Sequence, residues 1–331
     1  MLHIKRREFI GLLGSATAAW PIVVRAQERR RIPKVGVLWH AGSAEQEGAL
    51  FTALVEGFRA LGYIDRHNII LEHRFPNEMP ERFRSMAAEL VSLNVDVLVS
   101  AGNNAAPYAK NATATIPVVA MFISDPVGTK LVESLARPGG NVTGLSSFGA
   151  ELIGKRLQLL KDAIPGLSRV AQLVNPLAQI SRLYIDLTKT AAAQLGLTIE
   201  RFEARSGAEI KPAFEAMAGA SMQALVTNPD GLAYTHRELI GQLALKTRLP
   251  TAVWTRQTLV PGTLLSYGVD SLAVCRRAAV YVDRILKGAK AGELPIEQPT
   301  KFEFLINLKT AKALGITVPS LWLNQADEVI E

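Results

Sequence analysis

Val95-Asp96-Val97-Leu98-Val99-Ser100, then Gly102-Asn103-Asn104, then the stretches Ala105–Thr115 and Ile116–Ile123, decide how this chain is read. A β-rich apolar run, a Gly-Asn-Asn turn, a short helical stretch and a second apolar run make a strand–helix–strand unit. Its two strands run parallel, because a crossover of this kind returns the chain to the same end of the sheet. The same alternation extends upstream. Lys34–Leu38 is a short β-rich run between Pro33 and the Gly42-Ser43 loop. Leu50, Leu54, Phe58 and Leu61 recur with a helical period, and Gly62 suits the end of that helix. Asn68–Arg74 reads as a strand, and Arg82–Leu93 as a helix with Phe83, Met86, Ala87 and Leu90 on one face. The order predicts a parallel sheet covered by helices on both faces.

The pattern then starts again. Arg169–Val174, Leu197–Ala204, Ala224–Thr227 and Thr251–Trp254 read as strands, with helices predicted over Ser181–Leu195, Pro212–Gly219 and His236–Thr247. Two α/β halves of similar architecture follow, without an obvious sequence repeat between them. Asn141–Ser147 is a candidate crossing between the halves, and Gly262–Asp270 a second.

Ahead of the first strand, residues 1–26 carry the pattern of an export signal. Lys5, Arg6 and Arg7 form a basic start, Glu8-Phe9-Ile10 follow, Gly11–Ala19 is small and apolar, and Val24-Arg25-Ala26 offers small residues around a cut. Paired arginines in this setting are of twin-arginine type. The expectation is cleavage after Ala26, a flexible mature N-terminus over 27–33, and a protein free in the periplasm. The leader holds four of the 37 Lys and Arg and one of the 30 acids, so the net charge falls from +7 to +4 on cleavage. The remaining basic residues are scattered rather than gathered on one face with aromatic neighbours, which argues against nucleic acid as a partner. Cys275 is the only cysteine, so no disulfide forms within the chain, and a buried structural thiol is expected.

In parallel α/β sheets, ligands sit at the carboxyl ends of the strands. In the first half those ends hold Trp39, His40 and Ser43, then Gly102, Asn103 and Asn104, then Ser124 and Asp125, with Ser146 at the crossing. In the second half they hold Asn175, then Asn228 and Asp230, then Trp254. Amides, hydroxyls, two carboxylates and two indoles suit a small polar ligand held by hydrogen bonds and ring contact. The same residue types also fill βα loops for purely structural reasons, and Asp230 suits a helix N-cap as well as an ammonium partner. No catalytic pattern assembles. Gly149–Lys155 has the spacing of a phosphate loop, but Arg156 stands where Ser or Thr is needed. Gly144-Leu145-Ser146-Ser147-Phe148 lacks the second glycine of a nucleophile elbow. The histidines show no metal spacing, so no catalytic residue, metal or cofactor is expected.

Leu61-Gly62-Tyr63-Ile64, Ile116-Pro117-Val118-Val119, Asp125-Pro126-Val127-Gly128 and, most specifically, Ser134-Leu135-Ala136-Arg137-Pro138-Gly139-Gly140-Asn141-Val142-Thr143-Gly144 carry a resemblance to the periplasmic substrate-binding proteins of tryptophan/tyrosine-type ABC transporters. It continues through Ser266-Tyr267-Gly268, Ile285-Leu286-Lys287-Gly288, the run Leu294–Phe302, the run Ile306–Gly315 and Ala326–Glu331. It implies a type I periplasmic-binding fold: two doubly wound parallel-sheet lobes joined by a three-crossing hinge. The expected lobes are 34–147 plus 264–292, and 148–263 plus 293–331, with the third crossing near Gly292–Pro295. It also implies a monomer that captures a small polar or zwitterionic solute, with aromatic amino acids leading, and hands it to an ABC permease and its ATPase. A secreted α/β enzyme such as a hydrolase, and a ligand sensor for a signalling partner, are the alternatives.

Overall fold

The computed structural model describes residues 31–147, 149 and 152–331, so the expectations for the leader at residues 1–26 lie outside the described residues. The first sheet is built from β1 (Lys34–Leu38), β2 (Ile70–Arg74), β3 (Val97–Ala101), β4 (Val118–Ile123) and β5 (Val142–Ser146). Its order is β2-β1-β3-β4-β5, and every pairing is parallel. Between the strands run α1 (Ala44–Glu47), α2 (Ala49–Ala60), α3 (Pro80–Ser92) and α4 (Ala105–Ala112). Alternation along β1 sends Val35, Val37 and Trp39 into the core cluster under α2, while Leu38 joins the cluster under α3 and α4.

After β5 the chain enters α5 (Ile153–Ala163), β6 (Arg169–Val174), α6 (Ser181–Gln194), β7 (Thr198–Glu203), α7 (Gly207–Gly219) and β8 (Ala224–Thr227). There follow α8 (Gly231–Thr235), α9 (Arg237–Lys246), β9 (Thr251–Val253) and β10 (Leu265–Val269). Then come α10 (Ser271–Leu286), β11 (Phe302–Asn307), α11 (Leu308–Leu314), α12 (Ser320–Gln325) and β12 (Glu328–Ile330). The second sheet has the order β12-β11-β10-β9-β8-β6-β7. It is parallel from β7 to β10, and β11 turns it antiparallel at one point, pairing Val269 with Phe302. Residues Pro33–Glu331 form one compact unit.

Two expected lobe boundaries move. Strand β10 pairs with β9 instead of joining the first lobe, so the boundary expected at 263/264 falls between Val269 and α10, at the far end of the Gly262–Asp270 crossing. Helix α10 then packs along α2 over the first sheet. The third crossing was placed near Gly292–Pro295. The backbone stays on the edge of β5 through Glu297: Ser146 N–H donates to Glu297 O, Glu297 N–H donates to Gly144 O, and Thr143 Oγ1 donates to Leu294 O. Only residues 298–301 carry the chain across to β11. A local strand pattern does not say which sheet a strand joins, and both shifts have that origin.

Gly144 shows how tightly β5 lies against β4. Its φ is +152°, and a Cβ built there would stand 1.9 Å from Ala120 O. Only a residue without a side chain lets the two strands pair at this point.

Candidate functional site

The carboxyl ends of both sheets face a common cleft, the place where parallel α/β sheets hold small molecules. The first half contributes His40, Glu78, Asn104 and Phe122 to its lining. The second contributes Arg156, Asp230, Tyr234 and Trp254. Gly102 and Asn103 also line it, as do Ser147 and Gly149 at the first crossing and Thr255 and Ser271 around the second.

Two lining residues stand in a backbone region that side chains avoid. Phe122 has φ +61° at a break in register between β4 and β5, a bulge that re-aims one side chain. Glu78 has φ +57° and follows Asn77 at φ +58°. That pair is held by the loop after β1: Asn77 N–H donates to Ala41 O, and Glu78 N–H donates to His40 O at 2.9 Å. Strained backbone that the surroundings enforce concentrates at functional sites, and both residues open on the cleft.

The cleft carries both signs of charge. Asn104 Nδ2 donates to Glu78 Oε2 at 2.7 Å, while Glu78 Oε1 is buried with no hydrogen-bond partner. His40 Nδ1 lies 3.4 Å from that oxygen, and His40 Nε2 lies 3.3 Å from Glu47 Oε2. Glu47 Oε1 accepts the N–H groups of His40 and Ala41, which fixes the loop. Asp230 N-caps α8, accepting from Ala233 N–H. Burial and the charge of Asp230 push the Glu78 carboxyl up to about 8, and burial also raises Asp230. Arg156 is the cation of the cleft. Its guanidinium is fully buried, donates to Tyr267 O and Gly149 O, and leaves Nε unpaired. Among the described residues no carboxylate pairs with it, and burial pushes it down to about 10.

The two halves touch across the cleft. Tyr184 OH on α6 lies 2.6 Å from Ser124 Oγ after β4, and Asn103 Nδ2 donates to the same Oγ at 3.0 Å. Tyr234 OH on α8 donates to Glu47 O in the first half at 3.1 Å, and its ring meets His40 edge-on at 5.2 Å.

Of the residues the sequence singled out, His40, Gly102, Asn103, Asn104, Asp230 and Trp254 line this cleft. Ser124 sits one bond away, through Asn103 and Tyr184. The others serve different ends. Trp39 is fully buried and continues the core-facing alternation of Val35 and Val37, with its indole N–H on His73 Nδ1. Ser43 caps α1, and Asp125 closes a turn through Gly128 N–H. Ser146 lies buried inside β5. Asn228 accepts from Gln172 Nε2 in the interior. Asn175 caps its own turn at Leu177 N–H and stands 3.5 Å from Asp230. Sequence reasoning missed Glu78, Phe122, Arg156 and Tyr234. Glu78 follows the second strand, whose carboxyl end was passed over. Arg156 sits three residues after Ile153 and four before Leu160, on the buried face of α5, where a charge is a signal in itself. Phe122 carried no signal, because a bulge is invisible in an apolar run.

Comparison with known proteins gives a consistent picture. A family model described as ABC transporter substrate binding protein matches residues 42–330. A tyrosine-binding protein of Clostridioides difficile is 27% identical over 256 residues, 77% of this chain and 73% of that protein. A solved domain from Streptococcus pneumoniae in complex with L-Trp is 25% identical with a TM-score of 0.84, over 91% of this chain and 100% of that one. A conserved domain protein of Vibrio cholerae is 27% identical with a TM-score of 0.85, over 90% and 100% respectively.

Proposed function

Because the chain belongs to the family of ABC transporter substrate-binding proteins, we propose that it captures an aromatic amino acid in the cleft between its two sheets and delivers it to a membrane permease. One observation carries the reading. A buried guanidinium that pairs with no carboxylate among the described residues shares the cleft with two carboxylates contributed by opposite halves, beside the rings of Phe122, Tyr234 and Trp254. An unpaired buried cation is costly, and a ligand carboxylate relieves it. Glu78 and Asp230 take the ammonium group, and the rings take the side chain. A neutral sugar would leave both poles uncompensated. The similarity to proteins that bind tyrosine and tryptophan supports the same chemistry.

Capture works by closure of the two lobes about the three crossings, with Tyr184–Ser124 and Tyr234–Glu47 as contacts of the closed form. The protein acts as a monomer in the periplasm after twin-arginine export and cleavage at Ala26. Family membership favours transport over the secreted-enzyme alternative, and ligand capture rather than turnover is the role of the cleft. Native mass spectrometry of protein purified from the periplasm tests the reading. A co-purified aromatic amino acid is expected, and a co-purified sugar or nucleoside would overturn it. N-terminal sequencing of the same sample is expected to begin at Gln27, and a protein still starting at Met1 would sink the export claim.

A further inference from the structure

Glu78 and Asp230 line one cleft from opposite halves, and among the described residues His40 is the one titratable base beside them. A Cβ on Gly231 would lie 1.6 Å from Glu78 Oε1, so the Glu78 carboxylate rests directly on the backbone that follows Asp230. The groups around the pair are accounted for element by element. From the loop after β1, His40 Nδ1 lies 3.4 Å from Glu78 Oε1, and both atoms lack a hydrogen-bond partner. From α1, Glu47 stands behind His40 and adds negative charge. From the start of α4, Asn104 donates one hydrogen bond to Glu78 Oε2. Asn175 reaches Asp230 at 3.5 Å. Arg156 lines the same cleft, but each of its Nη groups donates to a carbonyl oxygen rather than to either carboxylate. Arg205 borders an adjoining cavity with Glu78, and its guanidinium pairs with Glu203 and Glu209. Among the described residues, no Lys or Arg forms an ion pair with either carboxylate.

Two buried carboxylates that share one cleft resist ionising together without a cation. An ammonium group brings three donors and one positive charge, which matches Glu78 Oε1, Asp230 and an acceptor nitrogen on His40. We propose that one proton is held by the Glu78–Asp230 pair in the empty protein, and that the ammonium group of the captured amino acid displaces it to solvent. The inference rests on the amino-acid reading above. The balance is simple: the O–H bond of the protonated carboxyl breaks, its proton leaves to water, and the ligand's N–H groups donate to the two ionised carboxylates. The exchange makes a free ammonium a condition of tight binding. It also makes affinity rise with pH as long as the pair still holds its proton. Burial and the charge of Asp230 hold the Glu78 carboxyl above the ordinary carboxylate range, which moves that range toward neutrality.

Two measurements test the exchange, and they fail separately. The first needs no ligand. Carboxyl carbon NMR of the empty protein is expected to show one glutamate titrating well above the ordinary carboxylate range, a signal that disappears in Glu78→Gln. If every carboxyl of the empty protein titrates below about pH 5.5, the shared proton does not exist. The second is calorimetric titration with L-tryptophan at pH 7 in phosphate and in Tris, buffers that differ in ionisation enthalpy. About one proton released per ligand is expected in the native protein and close to none in Glu78→Gln. The variant should bind roughly ten- to a hundredfold more weakly, with little pH dependence between 6.5 and 8. Equal release from native protein and variant, or none from either, overturns the exchange. If L-tryptophan and L-tyrosine give no binding at all, the amino-acid reading fails and takes the exchange with it, while the NMR result on the shared proton stands.

Discussion

Tyr184→Phe isolates a single atom of the closed form. The tyrosine is 1% exposed, and its hydroxyl lies 2.6 Å from Ser124 Oγ on the opposite half. Removing it leaves the ring in place on α6 and deletes the cross-cleft hydrogen bond to Ser124. Ser124 Oγ keeps Asn103 Nδ2 at 3.0 Å and Ser147 Oγ at 3.3 Å, so Ser124 is not left orphaned. The cost is therefore the net worth of one neutral hydrogen bond, about 0.5–1.5 kcal/mol, rather than the larger penalty of an unsatisfied group. That energy belongs to the closed form alone, so the closed-to-open ratio falls by roughly 2- to 13-fold and the apparent Kd for L-tryptophan rises by the same factor. Most of the change should appear in the dissociation rate. Stopped-flow fluorescence gives both rates, and solution scattering of the ligand-free variant should report a larger mean radius of gyration. In a double-mutant cycle with Ser124→Ala, the coupling energy should equal the single-variant effect. Unchanged affinity and scattering, or a zero coupling energy, would refute the latch.

Three other perturbations bear on the site and its scaffold. Arg156→Met should weaken L-tryptophan by about 100-fold, the loss of a charge-assisted carboxylate contact. Its unfolding midpoint should move little, because desolvation of the guanidinium offsets the two carbonyl bonds it makes. An equal loss for tryptamine, which has no carboxylate, would contradict the assignment. Burial holds His73 down at about 4, and its Nδ1 accepts from the Trp39 indole, so the fold requires it neutral. Because the unfolded chain binds this proton first, stability is fully present above about pH 6.5 and falls as pH drops through 4. Thermal scans of His73→Gln, which keeps an acceptor, should be flatter over that window, and an unchanged pH profile would remove His73 from the acid response. Gly144→Ala puts a methyl group 1.9 Å from Ala120 O at φ +152°, and should cost on the order of 3 kcal/mol in urea unfolding. A cost below 1 kcal/mol would show that β4 and β5 can part there.

Much of this architecture was written locally. The run from Val95 to Ile123 contains a strand, its Gly-Asn-Asn turn, a helix and the next strand, and each forms within two or three residues of where the pattern puts it. Sheet membership was not local. Leu265–Val269 has the same apolar character whichever sheet it joins, and only its register with Ala252 and Val253 decides the matter. The candidate site divides along the same line. His40, Asn103, Asn104 and Asp230 follow strands, so the rule about carboxyl ends reaches them, and Glu78, four residues after β2, obeys the same rule. Trp39 was legible in the other direction, since the period of two that buries Val35 and Val37 buries it as well. The left-handed backbone at Phe122 and Glu78 is imposed by neighbouring loops, and no residue type announces it.

The central claim is that the cleft reads both ends of a zwitterion. Calorimetric titration of L-tryptophan against tryptamine and indole-3-propionate, three ligands with one ring system, tests it most directly. The account predicts that L-tryptophan binds and that loss of either charged group weakens binding by roughly ten- to a hundredfold. Equal affinity for all three, or binding of a neutral sugar in preference to any of them, would contradict it.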